Sequence, residues 1–261
     1  YIAEISIATG DATDWDPYAG SNVYTLAVDG STVYAGGDFT SMGGLPRNHI
    51  AAIEASTGDP TAWDPSAGST VCALAVGGTT VYAGGEFSSM GGQTRNFIAA
   101  LNAATGVLTA WNPNATSYVY ALALSGSTVY AGGAFTNIGG QPRRSIAALE
   151  ASTGAATAWD PDANSTVSTL VVSGLTVYAG GWFTNIGGQV RHYVAALDAS
   201  TGLATDWDPS AGSKVNTLAL DGTTVYAGGF FTSIKGVPRG YIAAIDASTG
   251  FPSDWDPGAN G

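Results

Sequence analysis

The chain has 261 residues, 45% of them hydrophobic and 11% charged, with 37 Gly, 11 Pro and a formal net charge of −12. Abundant Gly and Pro beside so few charged helix formers exclude a helical repeat, and the hydrophobic fraction excludes a disordered chain. An acidic field repels phosphate backbones and anionic lipid, so nucleic acid is not an expected partner. No apolar run approaches the roughly 18–20 residues of a bilayer span, so no membrane insertion is expected.

The first stretch, Tyr1 through Pro17, aligns with 49–65 and reads as the second half of a repeat whose full form follows. The phrase Val-Tyr-Ala-Gly-Gly then stands at 33–37, 81–85, 129–133, 177–181 and 225–229, each 48 residues from the next. Trp15, Trp63, Trp111, Trp159, Trp207 and Trp255 keep the same step. A fixed period of this length marks a propeller or a solenoid. In the copy at 119–166, Val119–Leu124 is predicted as strand a, Ser125-Gly126-Ser127 as a tight hairpin turn, and Thr128–Gly133 as strand b. Phe135 to Arg143 is expected to be a loop holding Gly139-Gly140. Ser145–Glu150 is predicted as strand c, Ser152-Thr153-Gly154 as a turn and Ala156–Trp159 as strand d, ended by Asp160-Pro161. The glycines closing strand b either permit a bulge or let another backbone come close.

Four short antiparallel strands per period describe one propeller blade. The expected architecture is all-β, a single propeller domain over 1–261. It has a half-blade at 1–22 and full blades at 23–70, 71–118, 119–166, 167–214 and 215–261. Strands c and d at one end predict a six-bladed ring, its last half-blade lying beyond Gly261 or supplied by another chain. A five-bladed ring is the alternative. The start at Tyr1, without Met, reads as a processed or excised piece, and low Lys with abundant Ser, Thr, Gly and Asn reads as secreted or cell-surface.

The apolar-Tyr-x-Gly-Gly of strand b, the Phe-Thr after it, the Ile-Ala-Ala-Leu-x-Ala of strand c, the Thr-Gly turn and the final Trp-Asp-Pro resemble the Kelch-like propellers. The resemblance is closest to the bacterial delta-60 repeat group and covers the whole chain. It implies a binding or structural module and implies no particular activity. Where the delta-60 closing phrase more often has Phe, this chain has Trp.

Each copy carries one Arg before strand c: Arg47, Arg95, Arg143, Arg191 and Arg239. A guanidinium can bond several carbonyls and a carboxylate at once, and its repetition predicts a structural role, with pairing to Asp16, Asp64, Asp160, Asp208 or Asp256. Trp63, Trp111, Trp159 and Trp207 are predicted core residues. Glu54, Glu150, Asp198 and Asp246 stand where a carboxylate can cap the c–d turn. Pairs such as Asp206 and Asp208 could begin a calcium site, though without the spacing of a known calcium loop. Otherwise no cofactor is expected. His49 and His192 lie in non-adjacent copies, which gives no zinc cluster. A carboxylate pair for glycoside hydrolysis, such as Asp38 with Glu86, is the remaining catalytic alternative, and a non-enzyme is expected. Cys72 is read as an incidental small residue rather than a reactive thiol.

The copies differ mainly at three places, all on the face built by the b–c and d–a loops. After the Gly pair stand Asp38, Glu86, Ala134, Trp182 and Phe230. Before strand c stand Asn48-His49, Asn96-Phe97, Arg144-Ser145, His192-Tyr193 and Gly240-Tyr241. At the start of strand a stand Tyr24, Cys72, Tyr120, Ser168 and Asn216. Changing, partly aromatic side chains on a fixed frame describe a recognition surface, with Trp182, Tyr193, Phe230 and Tyr241 as an aromatic patch. The expected partner is a protein, or a second copy pairing with an incomplete blade, with a glycan as the alternative.

Overall fold

The computed structural model describes residues 2–259. Tyr1, Asn260 and Gly261, at the outer ends of the predicted half-blade and last blade, lie outside the described residues. The chain packs as two compact units, Tyr1–Val119 and Tyr120–Gly261. Every regular element among the described residues is a strand.

The copy at 167–214 shows the pattern. Val167–Ser173 (strand a), Thr176–Gly181 (strand b) and Val194–Asp198 (strand c) form an antiparallel meander with b in the centre. The other copies repeat it around Thr32–Gly37, Thr80–Gly85, Thr128–Gly133 and Thr224–Gly229. Gly174 opens the two-residue a–b turn at φ 56°, the positive φ that a type II′ turn needs at its first central position.

Two features differ from the expected four-stranded blade. The b–c loop folds into a hairpin of its own, Asn185–Ile186 against Gln189–Val190, turned by Gly187 and Gly188 at φ 61° and 75°. Strand d shrinks to the single bridge Leu197↔Ala204. The reason is local. The Thr205 hydroxyl accepts the Trp207 N–H at 3.3 Å, the Arg191 guanidinium takes the Thr205 carbonyl at 2.7 Å, and Pro209 follows. The backbone groups that would extend a ladder are therefore used elsewhere. Strand c also begins one residue later than predicted, at Ile146 rather than Ser145, because Ser145 sits at φ 61°.

Strand b is buried over Val177–Gly181, since each of its faces meets a different neighbour. Val177, Ala179, Ala195 and Leu197 pack with Tyr130, Ile146 and Ala148 of the preceding copy. Tyr178, Val194 and Ala196 pack with Val215, Leu218 and Ala227 of the following one. The aromatic residues fasten the same joints. Trp63, Trp111, Trp159 and Trp207 are buried, each edge-on to a tyrosine (Tyr34, Tyr82, Tyr130, Tyr178) at 5.1–5.2 Å. The indole N–H groups of Trp63, Trp159 and Trp207 reach the carbonyls of Asn102, Asp198 and Asp246 in the next copy, at 3.0, 2.9 and 2.9 Å.

The closing glycines of strand b have separate tasks. A Cβ on Gly180 would lie 2.8 Å from both Val215 Cγ1 of the next copy and Thr169 Cγ2 of its own. A Cβ on Gly181 would run into the carbonyl oxygen of Thr166, where strand a enters. Both expected uses of glycine, close approach and a bulge, are thus present at one strand end. The arginines fasten the other edge. Arg47, Arg95, Arg143, Arg191 and Arg239 each bond the carbonyl of the preceding residue and one fourteen residues on. Arg47, Arg143 and Arg191 also face Asp64, Asp160 and Asp208 at 3.5–3.9 Å.

Asp198 and Asp246 cap their c–d turns. One oxygen of Asp198 accepts from the amides and hydroxyls of Ser200 and Thr201 at 2.6–3.0 Å, and Asp246 does the same with Ser248 and Thr249. These bonds, the serine hydroxyl's first, hold both carboxyls at a pKa of about 2. A folded-state pKa below the unfolded value stabilises the fold above about pH 4, and that share disappears as pH falls toward 2. Asn102 makes the same cap without a charge. Two outcomes are expected. The double variant Asp198→Asn/Asp246→Asn has a lower urea midpoint than the parent at neutral pH and loses less of it on acidification to about pH 3. Gly181→Ala lowers stability by about 1–3 kcal/mol through overpacking, whereas Gly181→Ala with no change in midpoint contradicts the close approach.

Candidate functional site: three variable positions drawn together

Strand a does not pair evenly with strand b. Its register slips between Val23 and Thr25, Val71 and Ala73, Val167 and Thr169, and Val215 and Thr217. The residue skipped is the variable one: Tyr24, Cys72, Ser168 or Asn216. A bulge leaves its extra residue without a cross-strand partner and re-aims it, so this position can change without disturbing the ladder. After the Gly pair, the backbone amides of Asp38, Glu86, Trp182 and Phe230 donate to the carbonyls of Asn22, Thr70, Thr166 and Lys214 at 2.9–3.1 Å. That bond draws a third position into the group, the residue directly before strand a.

The three positions meet. In the first copy the Tyr24 hydroxyl and the Asn22 amide both donate to Asp38 Oδ2, at 3.0 and 3.4 Å. Hydrogen bonding, from Ser21 first, holds the Asp38 carboxyl below its usual range. In the second copy, burial and the neighbouring Glu86 carboxylate push the Cys72 thiol up to about 11. Later in the chain, Thr166, Ser168 and Trp182 share a cavity of about 460 Å³ with Tyr120 and Asn216 from the copies on either side. Lys214 sits with its ammonium 3.4 Å from the Trp182 ring centroid and 5.3 Å from that of Phe230. Trp182 and Phe230 are 49% and 59% exposed.

The expected four-ring patch is thereby divided. Trp182 and Phe230 are bridged by Lys214, and Tyr120 joins Trp182 in the cavity wall. Tyr193 packs on the core of the next copy, with its ring 6.2 Å from that of His192. Tyr193 and Tyr241 are held at φ 66° and 64°, as His49, Phe97 and Ser145 are at 61–65°. Their own backbone bonds fix that conformation: Tyr193 N–H donates to the Phe183 carbonyl, and its carbonyl accepts from Gly181, both at 2.9 Å. Reading the copies from the first residue of strand a onward misses Asn22, Thr70, Tyr118, Thr166 and Lys214. The signal was present one residue earlier, directly before the constant Val.

Among the described residues, no three His, Cys, Asp or Glu side chains converge as metal ligands. Asp198 and Asp246 are engaged with turn amides, Asp208 faces Arg191, and Asp38 accepts from Tyr24 and Asn22.

No protein-family model matches the sequence, and no curated protein matches it. Solved structures do. The chain is similar to the computationally designed Ika8 protein at TM-score 0.55 and 18% identity, over 86% of this chain and 58% of that one. It is also similar to a chain of a mitotic checkpoint complex at TM-score 0.62 and 16% identity, over 85% of this chain and 63% of that one. The chain therefore spans about six tenths of the length of each. With the repeated all-β sheets, these likenesses fit a β-propeller-like repeat fold.

Cys72 supplies a check on this geometry. A thiol held at about 11 is almost entirely protonated near pH 8, and the thiolate is the reactive form. Disulfide-reagent labelling of the native protein is expected to be at least tenfold slower than after unfolding in urea, and to accelerate as pH rises toward 11. Equal rates in both states contradict the half-buried placement beside Glu86.

Proposed function

We propose that this chain is a Kelch-like β-propeller of the delta-60 kind, acting at the cell surface or outside it as a non-catalytic binding module. Its ligand sits where the three variable positions converge. The observation that carries this reading is the cavity of about 460 Å³ walled by Tyr120, Thr166, Ser168, Trp182 and Asn216. Its volume suits a small ligand or the tip of a larger one, and aromatic faces beside amide and hydroxyl groups provide both contact area and orientation. The side chains that vary between copies supply the wall, while the glycines, arginines and tryptophans of the frame stay constant. A non-catalytic role is supported by the acids. Glycoside hydrolysis needs a carboxyl with a raised pKa, and hydrogen bonds move Asp38 the other way.

A second reading, assembly with a protein partner or a second copy, has its own support. Leu26 and Trp255 are 49% and 44% exposed, while their counterparts Leu74 and Trp207 are 7% and 5% exposed beneath a neighbouring copy. Exposed apolar side chains of this kind are suited to contact with another chain.

Ligand-observed NMR with a panel of neutral and charged sugars and amino acids tests the first reading. Binding to the parent protein that disappears in Trp182→Ala, at unchanged melting temperature, is the expected result. Binding that survives Trp182→Ala moves the site away from the variable face. Light scattering tests the second reading: an oligomer that dissociates in Leu26→Asp supports assembly, and a monomer removes it.

A further inference from the structure

The chain has eight basic residues, and seven are engaged. The five repeated arginines bond backbone carbonyls, Arg144 pairs with Asp162 at 2.8 Å, and Lys235 donates to the Asp208 carbonyl at 3.0 Å. Among the described residues, Lys214 makes no ion pair and donates no side-chain hydrogen bond; its ammonium meets only the rings of Trp182 and Phe230. The attraction of a ring face is electrostatic and does not use the N–H bonds. An ammonium so placed therefore keeps three donors for an acceptor while its long side chain is already ordered. In a protein of net charge −12, this cation is held without a carboxylate, over the ring of Trp182, which is itself a wall residue of the cavity.

The cavity beside it has a distinct chemistry. Tyr120 and Trp182 offer aromatic surface, and Thr166, Ser168 and Asn216 offer hydroxyl and amide groups. None of these five wall residues is acidic or basic. An amino acid or a peptide terminus with its own ammonium would need an anion in the wall, which these residues lack. A polyanionic chain would meet the repulsion of the whole acidic protein. A ligand with one carboxylate, several hydroxyls and an apolar ring face meets none of these objections.

We infer, building on the binding-module reading above, that this cavity recognises a pyranose bearing a single carboxylate, a uronic or sialic acid residue, with Lys214 as the carboxylate contact. Trp182 and Tyr120 supply the faces against which the sugar ring lies. Asn216, Ser168 and Thr166 take its hydroxyls. The Lys214–carboxylate contact is a charge-assisted hydrogen bond in a partly screened site, and it separates the acid from a neutral sugar of the same shape. Phe230 flanks the Lys214 ammonium with its ring centroid at 5.3 Å.

Calorimetric titration of the whole chain with sialyllactose, its carboxyl methyl ester and lactose, and with glucuronate and methyl glucuronate, tests the assignment. At least one acid is expected to bind about tenfold or more tightly than its ester. Lys214→Gln is expected to bring that ratio close to one, Lys214→Arg to restore most of it, and Trp182→Ala to weaken acid and ester together. Thermal melting of each variant establishes that it is folded. Equal affinity for acid and ester, or a ratio that persists in Lys214→Gln, overturns the carboxylate assignment while Trp182-dependent sugar binding leaves the binding-module reading standing. If no probe binds the parent protein, the sugar-acid assignment falls. The broader reading then rests on the outcome of the NMR panel, which includes other ligand classes.

Discussion

The repeat depends on how closely two backbones can approach at the end of strand b. Gly181 admits the carbonyl of Thr166 as strand a enters, and Gly180 admits the side chain of Val215 from the next copy. One contact closes the sheet of a single copy, and the other seats that sheet against its neighbour. Both need a residue without a Cβ, and a methyl group on either would have to displace backbone or a branched side chain. The same pair recurs at Gly36-Gly37 and Gly84-Gly85, facing Val71 and Asn22, and Val119 and Thr70. The indole bonds to the next copy are formed across joints that these glycines bring together, and each indole is held edge-on to a tyrosine of its own copy.

That constraint also creates the place where function can vary. Strand a must pass the glycines, and it does so with one residue out of register. The skipped residue, the residue before the strand and the residue after the glycines are fastened through backbone groups, so their side chains carry little of the fold. Three of these groups are filled differently. A hydrogen-bonded Asn–Tyr–Asp cluster occupies the first copy, a half-buried thiol beside a carboxylate the second, and a lysine over a tryptophan the junction of 166–182 with 214–230. In the proposed binding module, ligand contacts would differ between copies at this exchangeable group of side chains.

The period, the strands a, b and c, the a–b turn and the special status of the Gly pair were legible in the sequence, because each is fixed by short-range chemistry repeated many times. Strand d was not. Its alternating residues look like a strand, and only the Thr205 hydroxyl and the Arg191 guanidinium, acting across fourteen residues, remove it from the ladder. The small hairpin at 185–190 was hidden for a similar reason, since two-residue strands around Gly187-Gly188 leave no periodicity to read. Among the residues that lie together here, Trp182, Phe230, Tyr120, Asp38 and Tyr24 stand out in the sequence by their variation between copies. Lys214 was overlooked because its position lies before the strand, and its meaning comes from contacts with Trp182 and Phe230 rather than from its neighbours in sequence. Tyr193 looked like a surface aromatic, yet its positive φ turns the ring toward the core of the next copy.

The division between a fixed frame and an exchangeable site is tested most directly by moving one group of side chains onto another copy. Replacing Asn22, Tyr24 and Asp38 together by Lys, Asn and Phe installs the 214, 216 and 230 residues in the first copy, and the equilibrium stability is then measured by urea unfolding. The account predicts a change within about 0.5 kcal/mol, the range of surface substitutions that touch no structural device. A loss of about 3 kcal/mol or more would mean that these positions hold the frame together, and that their variation reflects packing rather than recognition.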